Sequence, residues 1–154
     1  MAGLIEIEIK GMKELKAAMD KFPQQVKKYM AAAGTEASEE ILETQGLRKY
    51  PPLTEANFPP TPYYKRGVGT QTGSGNRGGS ENLGTQWTVQ AKDFETTISN
   101  RASYARWVVG ETQASFMAPK GWRKLLEVAK EKQAAITVIY NRWVDKLLRD
   151  IRLK

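Results

Sequence analysis

The chain has 154 residues, a formal charge of +7, and neither His nor Cys. That composition excludes thiol nucleophiles, imidazole acid–base chemistry, the Cys/His ligand sets of zinc sites and any disulfide. Residues 1–45 carry 6 basic and 8 acidic side chains, whereas residues 101–154 carry 12 and 5, so the C-terminal end is the one that would attract an anionic partner.

The length suits one domain, residues 1–154. No apolar run approaches the roughly 18 residues of a membrane span, and the alternating N-terminus does not read as a secretory leader. From Leu4 to Lys10, Ile5, Ile7 and Ile9 alternate with Glu6, Glu8 and Lys10, which predicts a half-buried strand. Gly11 breaks it. Met12, Leu15, Met19 and Phe22 then recur at helical spacing, so Met12–Lys21 should be a short amphipathic helix. Pro23 closes it and suits the first position of the next helix. That second helix is expected from Gln24 to Gln45, with Val26, Met30, Ala33, Ala37 and Ile41 as its apolar face and Gly46 as its stop. Ala33, Gly34 and Ala37 make the face thin enough for a close backbone approach. Glu36, Glu39, Glu40 and Glu43 make the same helix acidic.

Leu47 to Asn82 is rich in Pro and Gly, and no regular element survives that composition. A loop this long inside a small domain is unusual, and it reads as a flexible linker or, preferred here, as an extended arm for a neighbouring subunit. Gly73-Ser-Gly75-Asn-Arg-Gly78 matches a dinucleotide fingerprint, but without a strand before it and a helix after it the match reads as loop glycine. Trp87, Val89 and Ala91, then Thr96 and Ile98, alternate about a Lys92-Asp93 turn, which predicts an antiparallel hairpin. Tyr104, Trp107 and Val108 should form a structural corner against Trp87 and Val89 of that hairpin. Last, Trp122, Leu126, Ala129, Gln133, Ile136, Tyr140, Trp143 and Leu147 step by four and three, a heptad-like seam on one long helix from Trp122 to Leu153.

The expected fold is therefore α+β. A small antiparallel sheet, made of the N-terminal strand and the hairpin, packs against two long helices. The long helix outreaches so small a domain at 1.5 Å per residue. Its outer half, from Tyr140, is expected to meet another subunit, with Trp143 and Leu147 as apolar anchors. Arg142, Lys146 and Arg149 would then face Glu36, Glu39, Glu40 and Glu43 of an adjacent copy. On that reading a chain truncated after Asn141 stays folded and loses assembly.

Little here suggests catalysis. Paired carboxylates can work without His or Cys, but one of them must be desolvated. Glu111, beside the aromatic segment, is the nearest candidate, and no Asp or Glu sits inside an apolar cluster. No enzyme activity, cofactor or metal site is expected. Trp107, Trp122 and Trp143 interleave with Arg106, Arg123 and Arg142 in the manner of a stacking surface for nucleic acid. A basic nucleic-acid-associated packaging protein is thus the alternative reading.

Several segments resemble the tail-completion, or neck, proteins of tailed phages. They are Ile7-Glu8-Ile9-Lys10-Gly11-Met12-Lys13-Glu14-Leu15, the alanine-rich second helix before a Pro-rich stretch, Tyr64-Lys65-Arg66 through Asn82-Leu83-Gly84-Thr85-Gln86-Trp87, and Asn100-Arg101-Ala102-Ser103-Tyr104-Ala105-Arg106-Trp107-Val108-Val109-Gly110-Glu111. The entry to the hairpin is stretched here into Gly67–Gly84, where the family is compact. The resemblance implies a non-enzymatic subunit that forms a homo-oligomeric ring, with a hexamer as one stoichiometry, at the head–tail junction of a virion. Its implied neighbours are portal-side, neck and tail-tube proteins, with DNA passing through the ring unread. It implies assembly in the host cytoplasm and no membrane partner.

Overall fold

A computed structural model describes Ile5, residues 7–48 and residues 83–152. Helix α1 spans Met12–Lys21, and Gly11 precedes it with φ 81°, a left-handed entry that favours glycine. Leu15 and Ala18 are its buried residues, one turn apart, while Lys13, Lys16 and Lys21 remain exposed. Pro23 opens α2, Pro23–Leu42. Its missing N–H costs nothing at a first helical position. The helix ends at Leu42, before the expected Gln45, because the chain turns ahead of Gly46. Gly46 has φ 91°, and a Cβ there would lie 2.3 Å from the carbonyl oxygen of Gly121.

Strands β1, Trp87–Lys92, and β2, Glu95–Asn100, form a two-stranded sheet. The turn is Asp93-Phe94, with Asp93 at φ 53°, a conformation that Asp tolerates better than most residues. Arg101 N–H donates to the Gln86 carbonyl at 3.0 Å, so the pairing continues past both strand ends. Gln90, Lys92, Glu95, Thr97 and Ser99 are exposed, while Val89, Ala91, Thr96 and Ile98 are half-buried. After the hairpin come a single helical turn, α3, Ala105–Val108, and then α4, Leu125–Glu131, and α5, Gln133–Arg152.

The α+β class and the hairpin are as the sequence implies. Two expectations need correction. Ile7, Glu8 and Ile9 keep the predicted alternation, with both Ile half-buried and Glu8 exposed, but among the described residues they join no sheet. Their backbone is held by a side chain of α5 instead. Asn141 Nδ2 donates to the Glu8 carbonyl at 3.1 Å, and Asn141 Oδ1 accepts from Lys10 N–H at 2.8 Å. One amide thus takes the place of a partner strand. The second correction concerns the last helix. It starts at Leu125 and is interrupted at Lys132, so the seam does not run along one rod.

The chain divides into two compact units. The first holds Met1–Ile41, Val89–Ile98 and Ala129–Lys154. Its core is Leu15, Ala18, Val26, Met30, Val144 and Leu147, from α1, α2 and α5, with Ile9, Tyr29, Tyr140 and Trp143 packed against it. The hairpin reaches α2 where α2 is thinnest. A Cβ on Gly34 would sit 1.8 Å from Thr96 Oγ1 and 3.2 Å from the Tyr140 hydroxyl. The narrow face read from Ala33, Gly34 and Ala37 therefore receives the chain's own sheet.

The second unit holds Leu42–Thr88 and Ser99–Val128. Leu42, Leu47, Leu83, Ala105, Val108, Val109, Trp122 and Val128 are buried there. Its described residues are mostly irregular, so side chains satisfy backbone groups that a ladder would otherwise pair. Asn100 Nδ2 donates to the Leu83 carbonyl at 2.9 Å, and Gln113 Nε2 donates to the carbonyls of Val108 at 2.7 Å and Trp122 at 3.2 Å. Leu47 is completely buried and belongs to this core, not to an arm. Residues 49–82 of the expected arm, with the glycines of Gly73–Gly78, lie outside the described residues.

Candidate functional site

The residues expected to bind a second copy gather on α2 and α5 of the first unit. On α5 the period is that of a helix against a core. Ile136, Ile139, Val144 and Leu147 are buried, and Tyr140 and Trp143 are half-buried beside them. Leu147 and Val144 are both 0% exposed. Leu147 therefore has no surface to offer a neighbour, and its role as an intersubunit anchor is withdrawn. It belongs to the chain's own core.

Trp143 is held as firmly. Its ring meets Tyr29 edge-on, with centroids 5.9 Å apart at 84°, and its Nε1 donates to Glu36 Oε2 at 2.7 Å. Glu36 also accepts from Arg142, so both carboxylate oxygens are engaged within one chain. The Trp143 hydrogen bond, then that of Arg142 and its charge, hold the Glu36 carboxyl below the usual carboxylate range, against an opposing effect of burial. The attraction expected between copies is thus made inside the subunit. Tyr29 donates its hydroxyl to Asp150, one turn beyond Leu147. That hydrogen bond, with burial and the Asp150 charge, raises the Tyr29 hydroxyl above its ordinary range. Burial likewise raises Tyr140.

The other acidic residues in and just after α2 also find partners in their own chain. Glu40 accepts from Lys132 Nζ at 2.9 Å. Glu43 lies 3.3 Å from Arg48 NH1, within the second unit. Glu39 is half-buried and engaged as well. Outward-facing positions remain on α5. Arg142, Lys146, Arg149 and Arg152 are exposed, with Asp145 among them. Lys146 Nζ stands 4.9 Å from the Trp143 ring centroid, and Arg149 Nε donates to the Asp145 carbonyl at 3.4 Å.

Of the residues expected to form a corner, Tyr104, Trp107, Val108 and Trp87 lie in the second unit and Val89 in the first. Val108 is buried with Ala105, so the short helix is seated on the second unit's core. Trp107 is not. It is 46% exposed, and the Arg106 guanidinium lies 4.2 Å from its ring centroid. A four-residue helix can bury Ala105 and Val108 together, three positions apart, and then turns Trp107 outward. Tyr104 and Trp87 are half-buried, and the Trp87 indole Nε1 is enclosed with no acceptor among the described residues. Phe116 is exposed in the same unit. Sequence reasoning missed Asn141 and Tyr29. Neither carries a local signal, because the partners of each lie more than a hundred residues away.

An open cavity of about 820 Å³ in the first unit is lined by Ile7, Glu8, Lys130, Glu131, Gln133, Ala134 and Thr137. Charges of both signs border it. Among the described residues no three acidic side chains gather to hold a metal ion, and no helix is long and apolar enough to cross a membrane. Glu111 is exposed. No protein-family model, curated protein or solved structure matches the chain.

Proposed function

We propose that this chain is a structural subunit of a tailed-phage particle, which acts by assembling into a ring at the junction of head and tail. The observation that carries the reading is the placement of the Tyr104-Ala105-Arg106-Trp107-Val108 segment. It follows the hairpin directly, as in the family it resembles, and folds as a short helix that seats Val108 while presenting Trp107. Trp107 and Phe116 are both large apolar side chains exposed in the same unit, the kind of surface that marks protein contacts. The ionisable side chains of α2 and α5 support the same reading. Several of them hold helices together, as in Glu36 with Arg142 and Trp143, and Tyr29 with Asp150.

The finer assignment, to a neck or tail-completion position between portal and tail tube, rests on the sequence resemblance. Its test is a particle preparation lacking this chain. The reading expects DNA-filled heads and separate tails that fail to join, and antibody against the chain should label the junction of intact particles. Joined, infectious particles without the chain would overturn it.

A second reading has its own observation. Arg142, Lys146, Arg149 and Arg152 are exposed along α5 with Asp145 as the counter-charge in their midst, a stripe that suits the phosphate backbone of nucleic acid. Binding of this kind falls steeply as salt rises, whereas a contact made by apolar and backbone groups does not.

A further inference from the structure

We propose that the hairpin joins neighbouring copies by edge-to-edge pairing, with the outer edge of β2 in one copy against the outer edge of β1 in the next; this rests on the ring reading above. The register of the hairpin decides which groups are available. Gln86 pairs with Arg101 through an N–H···O bond at 3.0 Å, and the turn is Asp93-Phe94. Counting inward, Lys92 faces Glu95, Gln90 faces Thr97 and Thr88 faces Ser99 as hydrogen-bonded pairs. The residues between them, Val89 and Ala91 on β1 and Thr96 and Ile98 on β2, then direct their N–H and C=O groups away from the partner strand. Among the described residues no strand lies beyond either edge, and no other described element supplies backbone bonds to these four.

Soluble proteins protect such edges with charge, Pro, a bulge or a covering element. Here Lys92 and Glu95 sit beside the turn, where they face each other. The stretch from Val89 to Ala91 and from Thr96 to Ile98 carries no charge, no Pro and no inserted residue. The hairpin rests on α2 by one face, which leaves its edges, among the described residues, without a neighbouring strand. A strand from a second copy can add to such an edge, with main-chain bonds giving affinity and alternate side chains giving register.

The occupant is a second copy because the two edges differ and complement each other. Copies related by rotation about a ring axis keep their strand directions. The β2 edge of one then meets the β1 edge of the next in the antiparallel sense, and the hairpins continue as one antiparallel sheet. Such a contact is head-to-tail, and it is the kind that closes into rings. Pairing of β1 with β1, or β2 with β2, would instead need a two-fold axis and would stop at a dimer.

The absence of Cys makes a direct test clean. A Thr97→Cys chain is co-expressed in turn with a Thr88→Cys, Gln90→Cys or Lys92→Cys chain, and the purified assembly is oxidised. Paired strands lie about 4.8 Å apart, inside the Cα range a disulfide bridges. The expected result is a strong mixed disulfide dimer for at least one combination, and none when any variant is oxidised alone. Self-linking of single variants in place of mixed dimers would overturn the proposal in favour of a two-fold contact. No cross-link in an assembly of unchanged mass would overturn it and leave the ring reading standing; a monomer in native mass measurement would overturn both. As a second probe, Ala91→Pro deletes one outward N–H while sparing the bonds inside the hairpin, a substitution edge strands accept. The folded variant should melt near the parent yet dissociate at least tenfold more readily. Unchanged assembly of Ala91→Pro would contradict the pairing.

Discussion

Arg-Trp occurs twice in this chain, as Arg142-Trp143 and as Arg106-Trp107, and the two pairs have opposite surroundings. In the first unit Arg142 and Trp143 both bind Glu36, and the Trp143 ring leans on Tyr29. In the second, Arg106 lies over its own neighbour, and Trp107 remains 46% exposed. Local sequence does not separate them. Element length does. Helix α5 is twenty residues long and lays a continuous stripe on α1 and α2, so its aromatic residues are drawn into that contact. Helix α3 has four residues and room to bury only one side of a turn. The comparison assigns stability to Trp143 and leaves Trp107 at the surface, where the proposed function gives it a contact role.

The largest test of that division is truncation after Asn141. It removes Val144 and Leu147, both wholly enclosed, so the first unit should lose its cooperative melt, not merely its assembly. A single Leu147→Ala change should cost about 2–5 kcal/mol in denaturant unfolding. A folded, stable truncated chain would mean that α5 is an appendage after all.

Gly34→Ala asks how tightly the hairpin seats on α2. The new methyl would overlap Thr96 Oγ1, an overpacking worth about 1–3 kcal/mol, partly offset by the roughly 1 kcal/mol that Ala gains over Gly in a helix. A net loss is expected in thermal melting, and Thr96→Ser should relieve only part of it, because Oγ1 remains. Trp143→Phe keeps most of the ring and loses the bond to Glu36. About 1 kcal/mol should go, since Glu36 is part-exposed and keeps Arg142.

The same contact sets a pH dependence. The carboxyl of Glu36 is held below its ordinary range, so its stabilising contribution is complete above the usual carboxylate pKa and is lost as pH falls through the lowered one. Tyr29 is raised, so its contribution is present below the ordinary tyrosine pKa and fades only at strongly alkaline pH. Melting followed from neutral to acid pH should show a shallower decline in Glu36→Gln than in the parent. An identical decline would remove Glu36 from the account. Trp107→Ala closes the series with the smallest effect on folding, under about 1 kcal/mol, because the ring is half in solvent already. Its effect should appear in particle assembly instead.

How much of this was legible depended on how local the cause is. Helix α1 shows its limits in sequence, because Gly11, the spacing of Leu15 and Ala18, and Pro23 all act within a turn or two. The hairpin was equally plain from alternation, although its turn is Asp93-Phe94, one residue later than the Lys92-Asp93 turn expected. The N-terminal segment was read as a strand since Ile5, Ile7 and Ile9 alternate. Its partner, however, is Asn141, and nothing near residue 9 announces a side-chain amide from the far end of the chain. The heptad seam held in its buried members, Trp122, Ala129, Ile136 and Leu147, and failed as one continuous rod. The step from Ala129 to Gln133 crosses the interruption at Lys132, and Gln133 proves exposed. Beyond it, burial of Ile136, Ile139, Val144 and Leu147 follows the wider stripe of a helix on a core. Glu36 and Arg142 were correctly paired by charge and wrongly placed on different copies, because charge alone does not say which chain supplies the partner.

Native mass measurement of the purified chain, over a range of protein concentration and from low to high salt, tests the central claim most directly. The account predicts one closed oligomer of fixed copy number that persists in high salt, as expected of main-chain and apolar contacts. A monomer at every concentration, or an assembly that carries nucleic acid and falls apart as salt rises, would contradict it.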